Sequence, residues 1–431
     1  MATHFIAGEH VPVAGEDLQP IINPATGQVI DAAPRGTADD VDAAVQAAAA
    51  AFKPWWDTPA ARRGAILYSA VAAIRAAVNE LAALLTAEQG KPLAEARMEI
   101  FRFAHTIEHY AGLAKNLRGG YVPNLDDRAH GLILKRPLGV CAAIVPWNFP
   151  VSLMGNKVGP ALVAGNTMVV KPAETTSLTG LKVVEIMTAA GLPPGVLNVV
   201  TGPGRVVGRA LVEHPGVAKI GFTGSTEVGR QVMAGAAQTI KRVTLELGGS
   251  DPIIICDDAD LDRAAGAASV GRFFNCGQAC LAIKRIFVFE SVADEFTQKL
   301  VAKVNRLTVG PGTKTGVRLG PLHTPGQRAE VEAQVQDALD RGAAALTGGR
   351  RPQGEPYAAG NFYLPTVLAN VAPDSRVLRE EVFGPAVPVV PVADLDDAIA
   401  RANDSIYGLG SSIWTQNLDR ATRAAEQLEA G

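Results

Sequence analysis

Residues 138–170 read LGVCAAIVPWNFPVSLMGNKVGPALVAGNTMVV. Within them Val140–Val145 and Thr167–Val170 are unbroken apolar runs of strand type, and Val158–Ala164 between them has helical composition. Strands that are apolar throughout, instead of alternating, are buried on both faces. Joined through helices, they imply a parallel sheet covered on each side. The rhythm continues downstream with a helix over Leu178–Ala190, a strand over Val196–Val200 and a helix over Arg205–Val212. A strand over Lys219–Phe222, a helix over Thr226–Ala236 and a strand over Arg242–Leu245 follow. It resumes after Asp251 with strands over Ile253–Ile255 and Arg285–Phe289 and helices over Leu261–Phe274 and Ala293–Leu307. The chain therefore reads as two α/β domains joined near Gly248-Gly249. Residues 138–170 form its most apolar stretch, yet Asn148, Pro150, Asn156, Lys157, Pro160 and Asn166 interrupt it, so it is not expected to span a membrane.

Upstream, Asp39–Phe52 and Pro59–Glu88 are alanine-rich helices. Asp39 and Asp40 suit the first start, and Thr58 with Pro59 suits a cap and first position for the second. Tyr121–Arg136 reads as a hairpin or arm outside the sheet. The chain has 431 residues, enough for two to three domains. Hydrophobic residues make up 48% and charged residues 19%, a balance that supports large cores and excludes a disordered chain. Forty Lys and Arg face 43 Asp and Glu, which leaves no basic excess for nucleic acid. Four cysteines make no disulfide framework, so reduced thiols and a cytoplasmic setting are expected; the first residues carry no secretory pattern.

Several segments carry chemical side chains. Asn275-Cys-Gly-Gln-Ala-Cys280 sets two thiols on a bend, with Gly277 permitting a sharp turn and Lys284 and Arg285 adding positive potential that favours a thiolate. The residues alone leave Cys276 and Cys280 undecided. Glu246, in Thr244-Leu-Glu-Leu-Gly-Gly249, is a carboxylate between apolar neighbours at a strand end. Desolvation there would make it a general base, and exposure would make it an ordinary surface group. Asn148, between Pro146 and Pro150, offers an amide donor where open α/β sheets bind ligands. Gly202-Pro-Gly-Arg-Val-Val-Gly208 is one residue longer than the dinucleotide fingerprint, and Ser225 is a natural helix cap with free N–H groups behind it. Lys171 and Glu174 follow another strand end and suit ribose hydroxyls or solvent equally. Glu380-Glu-Val-Phe-Gly-Pro385 is by itself a loop.

Taken in order, PWNFP, ALVAGNTMVVKPAE, GLPPGVLNVVTG, FTGSTEVG, LELGG, FFNCGQAC, EEVFGP and YGLGSSIWT resemble the aldehyde dehydrogenase superfamily, from about Ile22 to the last residue. The resemblance implies a Rossmann-like parallel-sheet cofactor domain (1–118 and 138–246), an oligomerisation arm (119–137) and a second α/β catalytic domain (247–431). It makes Cys280 the nucleophile, Glu246 the base that activates the hydrolytic water, and Asn148 the oxyanion donor alongside the Cys280 N–H. It assigns Lys171 and Glu174 to the adenosine ribose, Gly224, Ser225 and Gly229 to the pyrophosphate turn, Glu381 to the nicotinamide ribose, and Trp147 and Phe383 to places beside the cofactor. The implied reaction is NAD(P)-dependent, non-acylating oxidation of a small-molecule aldehyde through a Cys280 thioester. NAD is preferred to NADP because Glu174 would repel a 2′-phosphate. No metal is implied, and a homodimer or homotetramer is expected.

The GGSDP and KRIFVF segments resemble succinate-semialdehyde members of the family, which clamp a carboxylate with arginines. The corresponding positions here hold Asn156 and Phe274, so a neutral aliphatic or aromatic aldehyde is the expected substrate. Succinate-semialdehyde oxidation, CoA-acylating or esterase activity, and an inactive truncated relative are the alternatives. Relatives continue past the position of Gly431, so a C-terminal segment is expected to be missing.

Overall fold

A computed structural model describes residues 3–12 and 17–431. Two compact units are distinguishable. The first comprises Met1–Ile22, Val29–Glu88 and Ala96–Glu246, and the second Asn23–Gln28, Gln89–Glu95 and Leu247–Gly431. The chain has the mixed α/β architecture expected, with parallel sheets and flanking helices.

The first unit is built on a seven-stranded sheet. Strands Val140–Ile144, Thr167–Lys171 and Leu197–Val199 run side by side in parallel, and every one of their residues is buried. On the other side of Val140–Ile144 lies Val217–Thr223, followed outward by Arg242–Glu246, again in parallel. Thr3–Ile6 and Glu9–Pro12 close the far edge as antiparallel strands. The chain therefore builds the sheet outward in one direction from Val140–Ile144, then returns to build in the other. That reversal places the turns after Ile144 and after Thr223 beside one another at the carboxyl ends of the strands, where open α/β sheets hold ligands.

The helix after Val140–Ile144 spans Pro150–Val163 and so begins eight residues before the expected Val158. Pro150 occupies the first turn, where its missing N–H costs nothing. The next free donors, the N–H groups of Val151 and Ser152, are taken by Oε1 of the buried Glu99 at 2.9 and 3.2 Å. Glu99 lies on the helix Leu93–Leu113, which the sequence reading did not single out. Glu88 does the same for the helix Leu178–Ala189, accepting from Leu178 and Thr179 at 2.9 and 3.0 Å.

Two helix boundaries differ from expectation. The first helix runs Ala38–Asp57, with Thr37 and Asp40 forming a capping box. Thr58 does not cap the second helix: its hydroxyl donates to Pro54 O and closes the first. The long stretch Pro59–Glu88 is two helices, Ala60–Ala76 and Val78–Gln89, bent by 69° at Ala77. No single helix among the described residues is long and apolar enough to cross a membrane. The expected arm is a two-stranded antiparallel hairpin, Gly120–Asp126 with Ala129–Ile133.

The second unit carries a six-stranded sheet. Strands Thr366–Ala369, Ala386–Val392, Ile283–Phe289, Asp251–Ile255 and Ser412–Trp414 are parallel, and Ala344–Thr347 is antiparallel at one edge. Successive side chains point to opposite faces, and both faces are covered. Ile253, Ile255, Ile286 and Val288 meet Ala268, Leu300 and Val335 on one side, while Ile254, Phe287, Phe289 and Val392 meet Ile399 and Ala424 on the other.

Glu88 gives the fold a pH signature. It is fully buried, and burial raises its pKa from 4.5 to about 7 despite the N–H groups of Thr179 and Leu178. Between those two values the unfolded chain releases this proton and the folded chain keeps it. Stability should therefore fall as pH rises through that window, by a contribution on the order of 3 kcal/mol. Urea unfolding at pH 5 and pH 7.5 should show this slope in the wild type and a flatter one in Glu88→Gln; equal slopes would remove Glu88 as its source.

Candidate active site

In the first unit the sheet register gathers the expected cofactor residues at one edge. Ile144 pairs with Lys171 on one side and with Phe222 on the other, and Thr223 pairs with Glu246. The carboxyl ends of four strands thus lie in line, and the turns bearing Trp147, Asn148, Glu174 and Ser225 leave from that line. Asn148 is buried, and Trp147 is half-buried.

Lys171 is buried, and its Nζ donates to Pro172 O at 2.9 Å. Burial pulls its pKa down to about 8, with Glu174 opposing. Glu174 uses Oε1 to accept from Gly204 N at 2.9 Å, which joins this turn to the glycine-rich turn and leaves Oε2 for a hydroxyl partner. Gly202–Gly208 opens a single π-turn, Gly204–Gly208, before a short α-helix, Arg209–Glu213. Ser225 caps the helix Thr226–Ala237, with its hydroxyl accepting from Val228 N at 3.3 Å. Gly224 has no room for a side chain, because a Cβ there would come within 2.6 Å of the Phe222 ring. Gly229 is buried in the first turn of that helix. These donors and acceptors suit a dinucleotide: a capped helix start for a pyrophosphate, and a buried ammonium beside a carboxylate for a ribose.

Glu246 ends its strand exposed, on an edge strand whose burial alternates. Of the two settings open to it, exposure is the one found, because its apolar neighbours Leu245 and Leu247 do not share its face of the strand.

In the second unit Cys276 and Cys280 are physically distinct. Asn275, Cys276 and Gly277 all take positive φ values (51°, 56° and 72°), so three consecutive left-handed residues turn the chain sharply. The turn is stitched by Asn275 Nδ2 to Gln278 O (3.2 Å) and Gln278 Nε2 to Asn275 O (3.0 Å). Both residues are buried inside the bend, and Gln278 Oε1 also accepts from His323 N at 2.8 Å. Glu95 accepts from Asn275 N at 2.9 Å. Cys276 is buried, and burial drives its thiol well above the usual range. Cys280 is half-buried, the only one of the four cysteines that is not fully enclosed. Burial raises its thiol pKa too, but Lys284 and the Leu281 N–H pull it back; Glu381 and Asp251 add to the rise. The expected lowering by Lys284 is present and is outweighed by desolvation. Arg285 takes no part in this, since its donors go to the carbonyls of Ser250, Arg401 and Ala402.

Arg272 was not singled out in the sequence, yet it holds the bend. Its guanidinium is wholly buried and donates to the carbonyls of Ile283 (3.2 Å), Gly277 (2.9 Å), Val382 (3.0 Å) and Gly384. It thereby joins the cysteine segment to the turn bearing Glu381 and Phe383. Glu381 accepts from Gly249 N at 3.1 Å and pairs with Lys284 at 3.2 Å. Phe383 is half-buried, with the Lys284 ammonium 6.0 Å from its ring centre. Asp251 accepts from Gly410 N at 3.1 Å, and burial lifts its pKa to about 6. Nothing in the sequence around Arg272 signals this role, because its acceptors are backbone carbonyls up to 112 residues away.

Comparison with known proteins identifies the family. The model of the aldehyde dehydrogenase family matches residues 11–431. Succinate-semialdehyde dehydrogenase [NADP(+)] GabD of Escherichia coli (strain K12) is 41% identical over 427 residues, which are 99% of this chain and 88% of that protein. The solved structure of lactaldehyde dehydrogenase from Escherichia coli superposes with a TM-score of 0.96 at 38% identity, over 100% of this chain and 90% of that one. Betaine aldehyde dehydrogenase from Staphylococcus aureus, solved with NAD+, gives 0.96 at 35% identity, over 100% and 85%. The chain belongs to the aldehyde dehydrogenase family.

Proposed function

We propose that this enzyme oxidises a neutral aldehyde to its carboxylic acid with NAD, using Cys280 as nucleophile. The observation that carries the reading is the contrast at the bend: one thiol is sealed in the core, and the other is half-open, with the nearby Lys284 charge and the Leu281 N–H favouring its thiolate. A thiolate is the attacking form, and Cys280 alone of the two has a path to reach it. Its sulfur bonds to the aldehyde carbon, and the carbonyl oxygen becomes an oxyanion. Asn148 Nδ2 and the Cys280 N–H are the donors we assign to that oxyanion. The nicotinamide, when bound, supplies the hydride acceptor that turns the tetrahedral carbon into a thioester. Glu246 then removes a proton from water as the water attacks the thioester, releasing the acid and the thiol. Glu246 is exposed, so this role rests on its place in the LELGG segment at the strand end, not on a desolvated setting.

Lys171 and Glu174 are the groups we assign to the adenosine ribose, Ser225 with its helix start to the pyrophosphate, and Glu381 to the second ribose. A carboxylate at Glu174, already anchored on Gly204 N, disfavours a 2′-phosphate and supports NAD. The names of the relatives carry both cofactors, NADP(+) in one and NAD+ in another. The choice for this chain therefore rests on Glu174.

Substrate choice rests on Asn156, which is exposed, and Phe274, which is half-buried; neither is a cation that would clamp a carboxylate. The second reading is succinate semialdehyde, for which a relative 41% identical is named. We assign assembly to the hairpin. Leu125, Leu132 and Leu134 on and beside it are 64%, 70% and 66% exposed, more apolar surface than an isolated arm leaves to water.

Cys280→Ala should abolish aldehyde-dependent NADH formation, measured at 340 nm; substantial residual turnover would remove Cys280 as nucleophile. Glu246→Gln should retain a first-turnover burst of NADH and slow the steady state by about 100-fold or more; loss of the burst would rule out a role confined to thioester hydrolysis. A panel of aldehydes with NAD and NADP should give higher kcat/KM for a neutral aldehyde than for succinate semialdehyde, and for NAD than for NADP. The reverse order in either comparison would overturn that assignment alone.

A further inference from the structure

We propose that Lys284 is a positioning residue for the oxyanion donor: by gripping the Ala279 carbonyl it aims the Cys280 N–H, and by pairing with Glu381 it ties the nucleophile segment to the Glu380–Pro385 turn. The proposal rests on Cys280 being the nucleophile and adds a role for a side chain outside that chemistry.

Lys284 stands at the start of the strand Ile283–Phe289, and its side chain has no exposed surface. An ammonium carries three hydrogens and no acceptor. Three acceptors surround this one: Ala279 O at 3.0 Å, Cys280 O at 2.6 Å and Glu381 Oε1 at 3.2 Å. The group is therefore fully spent, and its direction is fixed. Its neighbour Arg285 is equally buried but reaches none of these atoms.

The consequence follows from the planarity of the peptide. The only cis bond among the described residues is Glu355-Pro356, so the Ala279–Cys280 peptide is trans. In a trans peptide the C=O and N–H are antiparallel. A cation that holds the Ala279 oxygen thereby turns the Cys280 N–H to the side opposite Lys284. It also polarises the amide, which makes that N–H a stronger donor. Ala282 N, at 3.2 Å from the same oxygen, braces the plane from a second direction.

The following peptide is locked as well. The Cys280 carbonyl lies 2.8 Å from where a Cβ on Gly249 would sit, so only glycine is tolerated there. The N–H of Gly249 in turn donates to Glu381 Oε1, the oxygen that Lys284 pairs with. Lys284, Glu381, Gly249 and the Cys280 carbonyl thus close a ring of contacts. In that ring the carboxylate assigned to the cofactor ribose and the backbone assigned to the oxyanion share one cation. Cofactor contact and donor alignment are mechanically coupled.

The test uses the full chain with Lys284→Met, Lys284→Arg, Glu381→Gln and the double variant Lys284→Met/Glu381→Gln. The double variant removes both members of the ion pair and guards against simple misfolding. Rapid-mixing kinetics with a neutral aldehyde and NAD separate burst amplitude, which counts competent sites, from burst rate constant, which reports the step that needs the oxyanion donors. We expect the rate constant to fall by about 10- to 100-fold in both variants carrying Met, beyond any effect of Glu381→Gln alone. Lys284→Arg should recover part of it. The KM for NAD should rise in Lys284→Met, because Glu381 loses its partner. A purely structural lysine would lower amplitude and melting temperature and leave the rate constant unchanged; that result in the folded double variant overturns the proposal. Failure of the underlying reading looks different: Cys280→Ala would retain aldehyde-dependent NADH formation.

Discussion

The segment around Cys280 is irregular backbone inside a protein, and irregular backbone carries carbonyls that no helix or strand satisfies. Buried cations take them up here. Arg272 covers Gly277, Val382, Gly384 and Ile283, Lys284 covers Ala279 and Cys280, and Arg285 covers Ser250, Arg401 and Ala402. A buried charge without partners costs several kcal/mol, so each cation stays because main-chain carbonyls partner it, and each carbonyl stays bent inward because the cation is there. The two requirements fix one another. Three left-handed residues in a row, two of them not glycine, persist because this network over-determines them.

The first unit reaches the same end by opposite charges. Glu88 lies in the helix Val78–Gln89 and Glu99 in the helix Leu93–Leu113, and each takes the free N–H groups at the start of another helix. For Glu99 that helix begins at Pro150, two residues after Asn148. Carboxylates at helix starts and guanidinium or ammonium groups at loop carbonyls are the two complementary ways of ending backbone hydrogen bonding inside a core.

Much of this fold was legible because the sheet strands are apolar on both faces, and Val140–Ile144 and Ile253–Ile255 admit few other environments. The cysteine bend was legible in part, since Gly277 between Asn275 and Gln278 marks a turn. Helix starts were less so: Pro150 lies in a run that is equally compatible with a loop until Glu99, 52 residues from Val151, supplies the cap. Thr58 looked like a cap because a threonine before a proline usually is one, yet its hydroxyl found the carbonyl behind it instead. Arg272 and Lys284 were invisible as organisers because their partners are main-chain oxygens, which leave no residue type to read. The surroundings of Glu246 were open to two readings, and the exposed one holds: apolar neighbours in sequence are not neighbours in space along a strand, where alternate residues face apart.

The burial of Cys141, Cys256 and Cys276 has a practical corollary. Enclosure raises the first two thiols to about 11 and the third higher still, which leaves them protonated and out of reach. Electrophilic probes for sulfur will therefore find a single address on the folded chain. A dye or spin label attached without any mutagenesis will mark one known spot, and thiol oxidation in storage will strike there before the other cysteines.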